Sequence, residues 1–236
     1  MSSLLYAREQ KITDAVSVLV PQFGSVFDNE DLYYDIVCTI VSTPFDLMVQ
    51  LDDAGIDFTQ INDFELFCLL FPRLQEMDTS LVFGDLDLSG FQTAENTQNG
   101  SMVLWNEETG AVIDRAAHDR MAKFLRKMLH LEKNNKRPAN EEARKYLIEK
   151  ERRKQKRQKK KARTSTLESY VVALVNSCEF PYNYETVRDI SIYQFYCSLN
   201  QITHKIKFDN TMIGYYAGTV KFDDLSQADR TWILNS

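Results

Sequence analysis

Residues 138–163, PANEEARKYLIEKERRKQKRQKKKAR, read as one helix that grows more basic along its length. Asn140 followed by Glu141 and Glu142 suits a helix start, where the backbone amides lack partners and the macrodipole favours negative charge. Only Ala143, Tyr146, Leu147 and Ile148 offer apolar surface for packing, and no residue in 149–161 is apolar. That second half cannot bury a hydrophobic face, so it is either solvated or held by something anionic. At ~1.5 Å per residue the helix would extend roughly 32 Å from residue 141 to residue 161, with its last turns expected to stand clear of any core. Like charges four residues apart, such as Arg152, Lys156 and Lys160, oppose an isolated helix by a few tenths of a kcal/mol per pair. The segment is therefore expected to need a counter-charge.

The rest of the chain contains that counter-charge. Residues 1–114 hold 20 Asp+Glu and 3 Lys+Arg, residues 115–164 hold 20 Lys+Arg and 6 Asp+Glu, and residues 165–236 hold 5 Lys+Arg and 8 Asp+Glu. The overall net charge of −6 hides this segregation. A chain polarised in this way can pair with itself, with another copy, or with a separate acidic partner.

Cys38, Cys68, Cys178 and Cys197 are far apart, lie in apolar neighbourhoods and form no CxxC pair. That usage predicts buried free thiols in a reducing compartment. The start MSSLLYAREQ has an early charge pair where a signal sequence would have an apolar run, and no stretch approaches the ~18 apolar residues of a membrane span. These features predict a soluble intracellular protein, or one carried in a particle built in a cytosol.

Along the chain, residues 11–20 suit a strand or a short helix, and residues 31–41 place Leu32, Tyr33, Ile36, Val37, Ile40 and Val41 on one helical face that ends before Pro44. Short helices are expected over 46–54 and 61–70, the latter with an aromatic stripe of Phe64, Phe67 and Phe71. Alternation of Leu81, Phe83, Leu86 and Leu88 with polar residues predicts a strand, and the turn pairs Asn99-Gly100 and Thr109-Gly110 bracket a hairpin strand at 102–105 that returns at 111–113. Asp114 is the expected N-cap of an amphipathic basic helix carrying Met121, Phe124, Leu125, Met128 and Leu129. Past the basic run, helices are expected from residue 166, from Asp189 or Ser191, and again from Asp209, with Trp232 and Ile233 folding back onto them. The predicted fold class is mainly α with a small β-hairpin element (α+β), as two helical lobes joined by a long basic helix. The expected divisions are an acidic lobe at 1–114, the basic helices at 115–164 and a helical domain at 165–236.

The candidate chemistries are weak. Asp85-Leu86-Asp87-Leu88-Ser89-Gly90 matches the first half of a calcium-binding loop, but Asn96 stands where a bidentate Glu is required, and a strand and turn account for the same residues. Asp52, Asp53, Asp57 and Asp63 could converge as in a two-metal nuclease, yet only Arg8, Lys11 and Arg73 are basic before residue 115, so a solvated acidic surface is the better account. His118, His130 and His204 are too scattered for a zinc site or a catalytic triad, and no glycine-rich phosphate loop is present. No catalytic residue, metal or cofactor is therefore expected. The candidate anion- or partner-binding residues are Arg152, Arg153, Lys154, Lys156, Arg157, Lys159, Lys160 and Lys161.

The strings EFPYNYETVRDISIYQFYCSLNQITHKIKFDNTMIGYYAGTVKFDDL and TWIL, with GIDFTQINDFELF and GDLDLSGF earlier, resemble proteins from the structural and tail-assembly gene region of long-tailed phages of Gram-positive hosts. The resemblance implies a helix-rich virion or assembly protein similar to tail-assembly chaperones, which hold a partner through helical contacts. The function expected on these grounds is non-catalytic: phage assembly by protein–protein binding, with other phage structural proteins or further copies of the chain as partners. It would act in the host cytoplasm during assembly, or in the virion. The alternative is a nucleic-acid-binding accessory protein acting through the basic helix.

Overall fold

In a computed structural model of the chain, residues 4–96, 100–158 and 165–234 are described. In chain order the regular elements are β1 (Glu9–Lys11), β2 (Ser17–Leu19), α1 (Phe23–Asp28), α2 (Glu30–Val41), α3 (Met48–Asp53), α4 (Asp63–Gln75), α5 (Ser80–Phe83), β3 (Phe91–Glu95), β4 (Met102–Asn106), β5 (Val112–Ile113), α6 (Arg115–Met128), α7 (Glu141–Gln158), α8 (Thr166–Val175) and α9 (Ile192–Tyr216). The fold is mainly α with two small antiparallel sheets, β1-β2 and β3-β4-β5, as the sequence predicts. Contacts group these elements into two units, Met1–Pro21 with Asp28–Ser165, and Gln22–Phe27 with Thr166–Ser236.

The core of the first unit forms where α2, α4 and α6 pack together. Glu30 and Asp31 occupy the first turn of α2, which buries Tyr33, Ile36, Val37 and Ile40. A capping box opens α4: Asn62 Oδ1 accepts the Glu65 amide (3.1 Å) while Glu65 Oε2 accepts the Asn62 amide (2.8 Å). The helix continues through Pro72 to Gln75, five residues beyond the expected end. Pro72 is exposed between the buried Phe71 and Leu74, so the packing of those two offsets the hydrogen bond that the proline removes.

Asp114 caps α6 as expected, its Oδ1 accepting the Ala117 amide at 2.7 Å. From α6, His118 Nε2 lies 2.9 Å from the Ile40 carbonyl and Arg126 donates to the Val41 carbonyl. Both carbonyls belong to the last turn of α2, where a helix leaves C=O groups without intrahelical donors. His118 is fully buried and stacked on Phe67, centroid to centroid 4.6 Å, with no partner on Nδ1. The neutral Nε2–H tautomer fits this environment.

One expectation for this unit is corrected. The alternation at 81–89 is not a strand: Asp78 Oδ1 accepts the Ser80 amide at 3.0 Å to start the single turn of α5, which buries Val82 and Phe83, and Gly84 turns the chain at φ 63°. The half calcium loop is a tight turn in which Asp87 accepts both the amide and the hydroxyl of Ser89 at 2.8 Å. A Cβ on Gly90 would lie 2.7 Å from Asn106 Nδ2, so close packing accounts for that glycine. The hairpin strand at 102–105 and its return are present as β4 and β5, with Leu104 opposite Ile113 and Trp105 opposite Val112. Leu104 and Ile113 are buried and Trp105 and Val112 exposed, the period of two that a half-buried sheet imposes.

In the second unit, Phe23 of α1 stacks on Phe195 of α9 at 4.0 Å, and its amide donates to the Ile190 carbonyl at 2.7 Å. Gly24 permits this approach, because a Cβ there would meet Arg188 Cβ at 3.0 Å. Ser191 opens α9 with a second capping box. No new helix starts at Asp209: its carboxylate pairs with Lys205, one turn back, at 2.7 Å, and α9 runs unbroken for 25 residues. The end of the chain returns to α9 by hydrogen bonds rather than by apolar burial. Gln201 Nε2 donates to the Trp232 carbonyl (2.6 Å), Gln201 Oε1 accepts the Leu234 amide (3.0 Å) and the His204 ring meets the Thr231 carbonyl (2.8 Å). The Trp232 and Ile233 side chains stay exposed.

The four cysteines are free, but only Cys68 is buried, and burial pushes its thiol up to about 11. Cys38 and Cys178 are exposed, contrary to expectation: Cys38 lies on the outward side of α2, and Cys178 lies in the polar turn at 176–179 that follows α8. Among the described residues no helix is long and apolar enough to cross a membrane.

Burial holds His118 below its ordinary value, with the Ile40 carbonyl acting in the opposite direction. The unfolded chain, with an imidazole near ~6.5, therefore binds the proton more readily than the folded chain. Stability from this group is full above that value and is lost as pH falls towards the folded value. The urea midpoint should hold between pH 8 and 7 and decline below about 6.5, with a shallower decline in His118→Gln; an equal decline in both proteins would refute this.

Candidate functional site

Helix α7 seats within the first unit through one buried apolar residue, its apolar neighbour and a set of ion pairs. Ile148, 5% exposed, enters a cluster with Met48, Val49 and Leu51 of α3, together with Phe58 and Leu66, and Leu147 packs beside it. One turn beyond Ile148 towards the C-terminus, the Arg152 guanidinium bridges Asp52 and Asp53, with an N–O distance of 2.8 Å to each. One turn before it, Arg144 bridges Glu141 at 2.7 Å and Asp57 at 3.2 Å. Residues 144, 148 and 152 recur every four positions and so share one side of the helix. The carboxylates at α3 and the loop after it are thus the counter-charge to this side of the basic helix. The Thr59 amide and hydroxyl, helped by Arg144, hold the Asp57 carboxyl below the usual carboxylate range.

The carboxylates considered for metal chemistry are taken up separately. Asp52 and Asp53 meet Arg152, Asp57 meets Thr59 and Arg144, and Asp63 meets Lys133 at 2.6 Å. Among the described residues no three His, Cys, Asp or Glu side chains gather as a metal site.

The described candidate basic residues fall into three groups. Arg152 is committed to Asp52 and Asp53. Arg153 pairs with Glu149 at 3.0 Å, both exposed, and Lys154 with the partly buried Glu151 at 3.4 Å, both pairs lying within the helix. Lys156 and Arg157 are exposed and form no ion pair among the described residues, while Lys159, Lys160 and Lys161 lie outside the described residues. Tyr146, expected among the packing residues, is instead 65% exposed. Ile148 fills the apolar seat, which turns position 146 about 200° away around the helix. Together with Lys150, Arg153, Lys154 and Arg157, and with the carboxylates Glu149 and Glu151, it lines a shallow concavity on the outer face of α7. The spacing 146, 150, 153, 157 is the sequence signal for this outer face.

A second surface runs along α9. Leu199, Ile202, Ile206, Asp209, Ile213 and Tyr216 follow one another at alternating steps of three and four, the spacing of a helix–helix seam. Beyond Phe195 no residue of α9 is buried, and Ile206, Ile213 and Tyr216 are 49%, 66% and 82% exposed. Tyr215 and Phe222 lie beside this end of the helix, their centroids 5.9 Å apart, with Arg230 over the Phe222 ring.

Residues 156–236 match the family model described as the second domain of YomV, a phage-region protein of Bacillus. The match begins in the last turn of α7 and includes α8 and α9, so over its C-terminal third the chain is similar to a phage protein. Neither a curated protein nor a solved structure matches the chain.

Burial and charge contribute unequally to the seat of α7. Removing a buried Ile side chain costs about 2–5 kcal/mol, whereas half-exposed ion pairs contribute about 1 kcal/mol or less each. Ile148→Ala is therefore expected to lower the unfolding free energy of the first unit more than Arg152→Ala, which breaks two such pairs, as read by urea denaturation. Equal losses, or a larger one for Arg152→Ala, would mean that charge rather than burial holds the helix.

Proposed function

We propose that the chain is a phage assembly protein that works by binding other proteins and performs no chemistry of its own. The single observation carrying this reading is the α9 seam. An amphipathic helix is stable in water only if its apolar stripe finds cover, and the distal half of α9 presents Ile206, Ile213 and Tyr216 without it. The similarity to a phage-region domain lies over the same residues. The partner that fits is a helix with an apolar stripe, laid along α9 as in helix-in-groove recognition. Such a stripe is expected either in another phage structural protein or in a second copy of this chain. Assembly would take place in the host cytoplasm, with the bound protein retained in or released from the particle.

The test is made in the phage that carries the gene. Disrupting the gene should leave incomplete particles in the lysate under electron microscopy. The double substitution Ile206→Ser, Ile213→Ser should reproduce that defect while leaving the circular dichroism of the purified protein unchanged, because both side chains are already exposed. Normal particle yields from the double variant would remove the reading.

A further inference from the structure

The geometry points to the outer face of α7 as a binding surface for single-stranded nucleic acid, in which Tyr146 stacks on a base and Lys150, Arg153 and Arg157 meet the phosphates. This surface is independent of the α9 seam. Folding divides the cations of the basic helix between two sides. On the inner side Arg144 and Arg152 already have carboxylate partners in the first unit, Asp57 and the pair Asp52 and Asp53. On the outer side Lys150 and Arg157 form no ion pair among the described residues, and Arg153 has only the exposed Glu149 one turn away. Phosphate can replace Glu149 there at small cost, because an exposed pair of this kind contributes little.

The spacing also fits. Tyr146, Lys150, Arg153 and Arg157 succeed one another every three or four residues along one side of the helix, so neighbouring groups stand about 5 Å apart along its axis. Tyr146 has its ring in solvent at the head of this row, 65% exposed. An aromatic ring next to a line of cations is the combination by which proteins hold single strands without reading sequence: stacking on any base, with charge following the backbone. A duplex hides its base faces and gains nothing from Tyr146. An acidic protein segment would use the cations but not the ring, so the contribution of Tyr146 separates these ligands.

The full-length protein is titrated with a fluorescent 20-nucleotide oligothymidylate by anisotropy, between 50 and 200 mM NaCl. Tyr146→Ala should weaken single-strand binding by roughly 5- to 100-fold, the range for loss of one stacked base, and leave binding to a duplex of equal length within about twofold. Arg153→Ala with Arg157→Ala should make the dependence of log affinity on log salt shallower by about 1.4, two contacts at ~0.7 each. Arg152→Ala, whose guanidinium is already engaged, should leave that slope unchanged. The proposal is overturned by absence of binding at 50 mM NaCl, by binding indifferent to Tyr146→Ala, or by poly-glutamate binding that displaces the oligonucleotide and is equally indifferent.

Discussion

Arg152 sits between Asp52 and Asp53, and the arrangement of the basic helix follows from that contact and the buried side chain one turn before it. The segment 149–161 has no apolar residue. Its only means of attachment are electrostatic, and between half-exposed groups those are weak. Ile148, and Leu147 beside it, therefore supply the adhesion, while Arg144 and Arg152 fix the rotation of the helix about its axis. Once residues 144, 148 and 152 face inwards, Tyr146, Lys150, Arg153 and Arg157 must face outwards. The seat and the exposed cationic row have a single geometric cause.

Helix α6 solves a related problem by burial. It too is basic and amphipathic, but it carries a full apolar stripe, so it lies in the core with α2 and α4 and places two of its polar groups on the end of α2. His118 and Arg126 supply donors that the Ile40 and Val41 carbonyls would otherwise lack. The condition is that His118 remain neutral, since a buried imidazolium without a counter-ion is costly. The two consecutive basic helices thus use polar groups differently: α6 turns the neutral His118 and Arg126 to a neighbour's backbone, and α7 pairs Arg144 and Arg152 with carboxylates of other elements and leaves most of its described cations on the surface.

Much of the fold was legible in the chain. Apolar positions three and four apart locate α2, α6 and the start of α9, Asp114 marks the cap of α6, Asp189 or Ser191 the start of α9, and Asn99-Gly100 and Thr109-Gly110 bracket β4. The failures have physical causes. Pro72 did not stop α4, because Phe71 and Leu74 are buried on either side of it. Leu81 to Leu88 mimicked a strand because an isolated turn of helix followed by an Asx turn also alternates apolar and polar residues. Asp209 resembled a helix start, but its carboxylate pairs with a lysine one turn back rather than with a backbone amide. Composition alone cannot tell which of the four apolar residues Ala143, Tyr146, Leu147 and Ile148 will face the core, so it does not single out Tyr146 as the exposed one.

The amino-acid sequence by itself determined the helical class, the Asp114 cap and the segregation of acidic and basic residues, all of which are read along the chain without its long-range contacts. Only the tertiary structure decided which cations are neutralised: Arg152 and Asp52 are 100 residues apart in the chain and 2.8 Å apart in space. The same holds for Phe23, which enters the unit built from residues 166–236 by stacking on Phe195. Long-range pairings of this kind depend on how several elements pack at once, and no local period or spacing encodes that.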